Sequence, residues 1–97
     1  MAIQKRKDDN RVELILDGWI DTLGAPMLAS ELDALESDVE HLTLEMAGLE
    51  YCSSAGIRQI VAAQKRMKGS LTLRNVNERI KTLLRMAGLA SHLNFEP

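Results

Sequence analysis

The stretch Tyr51-Cys52-Ser53-Ser54-Ala55-Gly56-Ile57 marks a change of period in the chain. Before it, Leu42, Leu44 and Met46 alternate with His41, Thr43 and Glu45, as in a strand with one apolar face. After it, Ile57, Ile60 and Val61 keep helical spacing, and Lys65, Arg66 and Lys68 charge the last turn before Gly69. A buried strand passing directly into a helix is the building unit of an α/β fold. The two serines then fall at a helix N-terminus, where unpaired backbone N–H groups and the positive end of the macrodipole favour an anion. A phosphate would be tolerated there, bringing about two negative charges to a site that has none. On this segment alone, the simpler reading makes Ser53 an N-cap and Ser54 a small first-turn residue.

Working outward, Ala2–Lys7 and Arg11–Asp17 read as strands joined by the turn-rich Asp8-Asp9-Asn10, a hairpin. Val12, Leu14 and Leu16 form one face of the second strand, and Ile15 suggests that the other face is partly covered. Gly18 to Gly24 reads as a loop. A helix is predicted from Ala25 to Ser37, with Pro26 in its first turn and Leu28, Leu32 and Leu35 on one stripe. The third strand is His41–Ala47, and Leu71 and Leu73 mark a fourth. Asn75, three positions before Glu78, is a capping-box variant opening a helix with Ile80, Leu83, Leu84 and Ala87 on its stripe. That helix stops at Gly88. The tail Ser91–Pro97 reads as a loosely attached cap anchored by Leu93 and Phe95. This order predicts an α/β protein with a single small domain over residues 1–97. Its sheet is expected to be four-stranded and largely parallel, with an N-terminal hairpin and helices packed on it.

The totals narrow the function classes. Ninety-seven residues supply one modest core and no more. A net charge of −2, with basic residues dispersed, gives no general attraction for nucleic acid. No apolar run approaches the roughly 20 residues that span a bilayer, and the N-terminus lacks the apolar centre of a secretory signal. A single cysteine excludes an internal disulfide and fits a reducing compartment, so the expected location is the cytoplasm.

A search for catalytic chemistry finds little. The hydrolase elbow G-x-S-x-G fails because Cys52 stands where the first glycine belongs before Ser54. His41 lies within a strand and His92 in the tail, neither placed as a base for Ser54. The glycines are scattered, so no phosphate-cradling loop forms. Lone Cys52 has no partner for zinc and reads as a small buried side chain at a strand end. Asp33, Glu36, Asp38 and Glu40 read as a solvated helix face and loop. Trp19, a large residue in the expected loop, is a packed lid or, if exposed, a binding hot-spot candidate. The chain is not expected to be an enzyme, and neither cofactor nor metal is expected.

Four segments in register resemble the STAS domain, specifically the stand-alone bacterial anti-sigma factor antagonists. Leu16-Asp17-Gly18-Trp19-Ile20-Asp21 with Ala25-Pro26 is similar to the family's strand-end G-x-[LI]-D and A-P. Leu42–Tyr51 resembles its central strand and the run to the switch. Ser53-Ser54-Ala55-Gly56-Ile57 is similar to D-S-[AS]-G-[LI], and Leu71–Leu89 to the final strand, an Asn-led cap and a helix ending in G-L. The resemblance covers nearly the whole chain.

The resemblance implies a partner-switching role. The unphosphorylated antagonist binds an anti-sigma factor, a serine kinase of the histidine-kinase-like ATPase fold, and frees a sigma factor. Phosphorylation breaks the complex and a metal-dependent serine phosphatase resets it. ATP and Mg²⁺ would belong to the kinase. By register the phosphoacceptor is Ser54, while Ser53 stands where the family carries an acidic residue. That departure leaves Ser53 open as an acceptor and also admits a member that binds without being phosphorylated. Loops at the C-terminal strand ends of a parallel sheet lie side by side. The expected partner surface therefore joins Asp21, Thr22, Leu23 and Gly24 to Ser53, Ala55, Arg58 and Gln59. The chain is expected to be a monomer binding neither nucleic acid nor membrane. The competing class is a non-phosphorylated STAS scaffold or small-ligand-sensing module, and a serine hydrolase is a distant third.

Overall fold

The computed structural model describes residues 1–89 and 93–97. Its elements in order are β1 (Ala2–Asp8), β2 (Arg11–Ile20), α1 (Gly24–Asp33), β3 (His41–Cys52), α2 (Ser54–Met67), β4 (Leu71–Arg74), α3 (Glu78–Met86) and β5 (Asn94–Glu96). The sheet runs β1-β2-β3-β4-β5, with β1 antiparallel to β2 and every other pair parallel. Strand order that advances in one direction, with right-handed crossovers, places the connecting helices on a single face.

The side chains agree with that topology. Val12, Leu14 and Leu16 of β2, Leu42, Leu44 and Met46 of β3, and Leu71 and Leu73 of β4 are buried beneath Leu28, Ile60, Ile80 and Leu84 of the helices. The opposite face is open and polar. Across it Glu13 pairs with Arg6 at 3.8 Å and with Arg74 at 2.9 Å, and Arg74 reaches Glu96 at 3.4 Å. Ile15 is half-buried there between Gln4 and Glu45, its neighbours in the sheet, and no helix covers it.

The sheet has five strands, one more than the sequence predicts. Asn94–Glu96 pairs in parallel with Thr72–Arg74. Asn94 anchors it by donating to the carbonyls of Gly69 (3.0 Å) and Leu71 (3.1 Å). Leu93 is buried as expected and Phe95 is half-buried, whereas Ser91 and His92 lie outside the described residues.

Three boundaries also move. Strand β2 runs on to Ile20, so the expected loop begins three residues late, and β3 runs on to Cys52 rather than Ala47. The pairing shifts register between Ile15 and Asp17 and again between Gly18 and Trp19, with β3 supplying one extra residue each time. These bulges change the burial spacing on β3 from two to three, through Met46, Leu49 and Cys52, which hides the strand from an alternation test. Helix α1 ends at Asp33, not Ser37. Leu35 is still buried, but its carbonyl accepts from Arg66 Nη2 at 3.1 Å instead of continuing the helix. Beyond it, Glu36 and Asp38 are not simply solvated, because Lys7 Nζ lies 2.9 Å and 3.1 Å from them.

The cap of α3 is Asn77 rather than Asn75. Asn77 Oδ1 accepts from the Ile80 N–H at 2.8 Å, and its Nδ2 donates to the Leu49 carbonyl at 3.2 Å, tying the helix to β3. Asn75 instead takes a left-handed conformation (φ 57°) and donates to Glu45. At the other end, Gly88 (φ 77°) lets Leu89 N–H return to the Leu84 carbonyl at 3.0 Å, the bond that closes a Schellman motif.

Gly56 brings α2 onto the sheet. A Cβ there would lie 2.6 Å from both Cys52 Sγ and Ile20 Cγ2. Helix propensity alone would favour Gly56→Ala by about 1 kcal/mol. Overpacking should reverse that sign, giving a net loss of ~1 kcal/mol or more in urea unfolding. Unchanged or increased stability would show that the close approach is not constraining.

Candidate functional site

The C-terminal ends of β2 and β3 position the serine junction. Ser53 N–H donates to the Ile20 carbonyl at 2.8 Å, extending the β2–β3 ladder by one bond. The backbone of Ser53 is extended (φ −80°, ψ 173°), and its Oγ accepts from the Gly56 N–H at 3.2 Å. Ser53 is therefore the N-cap of α2. Ser54 is the first helical residue and is exposed; its hydroxyl has no hydrogen-bond partner among the described residues. The two serines thus divide the work: one hydroxyl terminates a helix and the other faces solvent.

The electrostatics favour an anion at this point. The first turn of α2 carries no acidic residue, while Lys65 and Arg66 occupy the last turn. The positive end of the helix is accordingly left uncompensated. Cys52, directly before the serines, is buried, and desolvation pushes its thiol up to about 11. It stays protonated at neutral pH and is a packing residue, as its isolation in the sequence suggested.

The expected partner residues do come together, but not all are available. Ile20, bonded to Ser53, leads straight into the Asp21–Gly24 turn, where Thr22 and Leu23 are exposed. Arg58 is also exposed, whereas Ala55 and Gln59 are half-buried. Gly24 is buried, its α-carbon side pressed toward the Trp19 carbonyl. Asp21 is occupied locally: its Oδ1 accepts from Gly24 N–H at 2.8 Å and Leu23 N–H at 3.0 Å. The Gly24 bond, with lesser help from Leu23 and the N-terminal charge, holds the Asp21 carboxyl below its usual range. Because the folded pKa is the lower one, that stabilisation is complete above the unfolded pKa and fades as pH falls through the folded one.

Sequence reasoning missed part of the surface. Trp19 is on a strand, not in a loop, with 56% of it exposed. Its Nε1 donates to Glu50 at 2.9 Å, and its ring tilts against Tyr51 with centroids 6.0 Å apart. Trp19, Glu50, Tyr51 and Arg79 line a hollow of about 470 Å³. A second, of about 370 Å³, lies between the start of α2 and α3, bounded by Ser53, Ser54, Ile57, Arg58, Leu83 and Met86. Ala87, expected in the core stripe, is exposed at its edge. Met86 falls off the Ile80–Leu84 stripe, and that was the signal in the sequence that it faces outward.

With this geometry in view, the similarities to known proteins are specific. Residues 3–94 match the family model described as Mlab, STAS domain. The chain belongs to the STAS domain family. It is 29% identical over 90 residues to the anti-sigma-B factor antagonist of Bacillus subtilis strain 168, covering 90% of this chain and 83% of that protein. An anti-sigma factor antagonist from Mycobacterium paratuberculosis superposes with a TM-score of 0.85 at 17% identity, covering 99% and 85% of the two chains. The Bacillus cell fate determinant SpoIIAA in its phosphorylated form gives 0.77 at 14% identity, covering 97% and 90%. In the STAS fold of this chain, no described helix is long and apolar enough to cross a membrane.

The division between the two serines is testable by stability alone. Ser53→Ala should cost about 1 kcal/mol in denaturant unfolding, through loss of the cap, while Ser53→Asp should retain it. Ser54→Ala should stay within about 0.5 kcal/mol of the parent. Equal losses at both positions would remove the distinction.

Proposed function

We propose that this STAS domain is an anti-sigma factor antagonist of a partner-switching pathway, with Ser54 as its phosphoacceptor. The carrying observation is the Ser54 hydroxyl: exposed, without a partner among the described residues, and first in a helix whose opening turn holds no acid. The Bacillus subtilis relative, an anti-sigma-B factor antagonist, supports the reading, as does the register of Ser53-Ser54-Ala55-Gly56-Ile57 with the family's switch. The partner is an anti-sigma factor of the histidine-kinase-like ATPase fold, and a serine phosphatase resets the cycle.

The chemistry asked of this chain is small. Ser54 Oγ attacks the γ-phosphorus of ATP held by the kinase, the bond to the β-phosphate bridging oxygen breaks, ADP leaves, and the hydroxyl proton passes to a base on the kinase. This domain contributes a nucleophile on a rigid element. Once formed, the phosphate is stabilised by the helix terminus, typically by ~0.3–1 kcal/mol at an exposed site. The domain therefore need not unfold on modification. Bulk and charge placed where the partner packs would release it. Thr22, Leu23, Ser53, Ala55, Arg58 and Gln59 form the surroundings of that contact, with Asp21 and Gly24 shaping the adjoining turn.

Ser53 in place of the family's acid favours a second reading, a STAS scaffold that binds without being phosphorylated. Mass spectrometry after incubation with the genome's ATPase-fold serine kinases and ATP separates the two. Phosphate on Ser54 is expected; phosphate on Ser53 alone would move the acceptor by one residue, and phosphate on neither would favour the scaffold. Ser54→Ala should bind the kinase irrespective of ATP, and Ser54→Asp should bind at least ~10-fold more weakly, a difference of about 1.4 kcal/mol.

A further inference from the structure

The chain has three aromatic residues, Trp19, Tyr51 and Phe95, and leaves two of them on the surface together. Trp19 and Tyr51 are paired residues at the ends of β2 and β3. The Trp19–Glu50 hydrogen bond holds the indole at the rim instead of letting it fold over the core. Single exposed apolar residues are ordinary on a protein surface. Here, however, Trp19 and Tyr51 border one hollow and Met86, 80% exposed, borders the next.

Helix α3 joins the two hollows. Arg79 lies on the first, and Leu83 and Met86, four and seven residues further along, lie on the second, the spacing of one helix face. The two hollows are lined by different residues, with Trp19 and Tyr51 supplying apolar surface in the first and Ile57, Leu83 and Met86 in the second. At the rim, neither Arg58 nor Arg79 has a carboxylate within ion-pair distance among the described residues. The acid at the rim, Glu50, is engaged by Trp19. Two guanidinium groups outside any ion pair, beside the apolar side chains of Trp19, Ile57, Leu83 and Met86 in a chain whose net charge is −2, favour an occupant with an apolar anchor flanked by carboxylates.

Building on the partner reading above, we infer that the two hollows are one docking groove for an acidic, apolar-anchored segment of the ATPase-fold partner. Its apolar side chain enters between Ile57 and Leu83–Met86, its carboxylates meet Arg58 and Arg79, and Trp19 covers one end. Ser54 stands on the wall of this groove, four residues and one helical turn before Arg58. A phosphate on Ser54 draws the Arg58 guanidinium to itself and confronts the partner's carboxylates with like charge. Release then follows from competition for one arginine, with no change of shape in this domain.

The test uses the full chain and each ATPase-fold serine kinase of the same genome, titrated calorimetrically. Trp19→Ala and Met86→Glu should each weaken binding by ~10-fold or more, as expected for central anchors. Arg79→Glu should weaken it and flatten its salt dependence, while Arg6→Ala on the open sheet face should leave it unchanged. In Arg58→Gln the loss caused by Ser54→Asp should shrink. Trp19 is the chain's only tryptophan, so its emission should shift to shorter wavelength with a kinase lacking tryptophan or after subtraction. Urea unfolding of each variant separates lost binding from lost folding. A kinase that binds every folded variant with parental affinity overturns the groove and leaves the partner reading standing. Binding by none of the kinases overturns both. Burial of Trp19 in a sedimenting dimer of the free protein would assign the groove to a second copy and overturn the inference.

Discussion

Everything at the functional end depends on how closely the first turn of α2 approaches the sheet. Gly56 has no side chain, so the helix can rest on Ile20 and Cys52, where a single added carbon would meet both at 2.6 Å. That contact sets the height at which the helix begins. The Ser53 N–H bond to Ile20 and the Ser53 Oγ bond to Gly56 N–H then fix its direction. Two hydrogen bonds and one steric allowance thereby decide that Ser53 turns inward and Ser54 outward.

The placement of aromatic side chains follows from the same economy. A core of Leu, Ile, Val, Met and Ala fills the space between one sheet face and the helices without Trp19 or Tyr51. Large amphipathic rings are then free to stand at the strand ends, where their polar atoms reach water or Glu50. The open sheet face is handled differently, with a cross-strand series of charges through Arg6, Glu13, Arg74 and Glu96 that satisfies itself. Two surfaces of one small domain therefore differ in character: one is charged and internally paired, the other carries exposed aromatic and apolar side chains beside arginines outside any ion pair.

Much of this was legible in the chain. The change of period around Tyr51–Ile57, the hairpin at Asp8-Asp9-Asn10 and the apolar stripes gave the element order and the parallel sheet, because burial on one face imposes a period that sequence preserves. What escaped was structure whose signal is not periodic. Bulges in β3 replace alternation with a spacing of three, so the strand ended on paper at Ala47 and in space at Cys52. Strand β5 holds a single inward apolar residue, Phe95, between polar neighbours, and its position is set by side-chain bonds from Asn94 over long sequence separation. Asn75 has the capping-box spacing to Glu78, but Asn77 caps the helix, and its bond to the Leu49 carbonyl is a contact over long sequence separation that spacing does not reveal. At the site, the serine junction was visible locally. The contribution of α3 was not, since it depends on where a helix from a later crossover lies.

Ser53, where the resemblance implies an acidic residue, bears on both readings of the site through its charge. Ser53 caps α2, and a carboxylate or a hydroxyl serves that purpose about equally well. They differ in charge. A carboxylate at the cap would already compensate the helix terminus and would repel a phosphate on the next residue. A neutral hydroxyl leaves the terminus positive, so a phosphate on Ser54 would meet it with no acidic residue in the first turn. In the proposed switch, Arg58 would meet the partner in one state and the phosphate in the other. On that proposal, a neutral cap would give both states a use for the same cation, and the difference between them would lie in which group holds it.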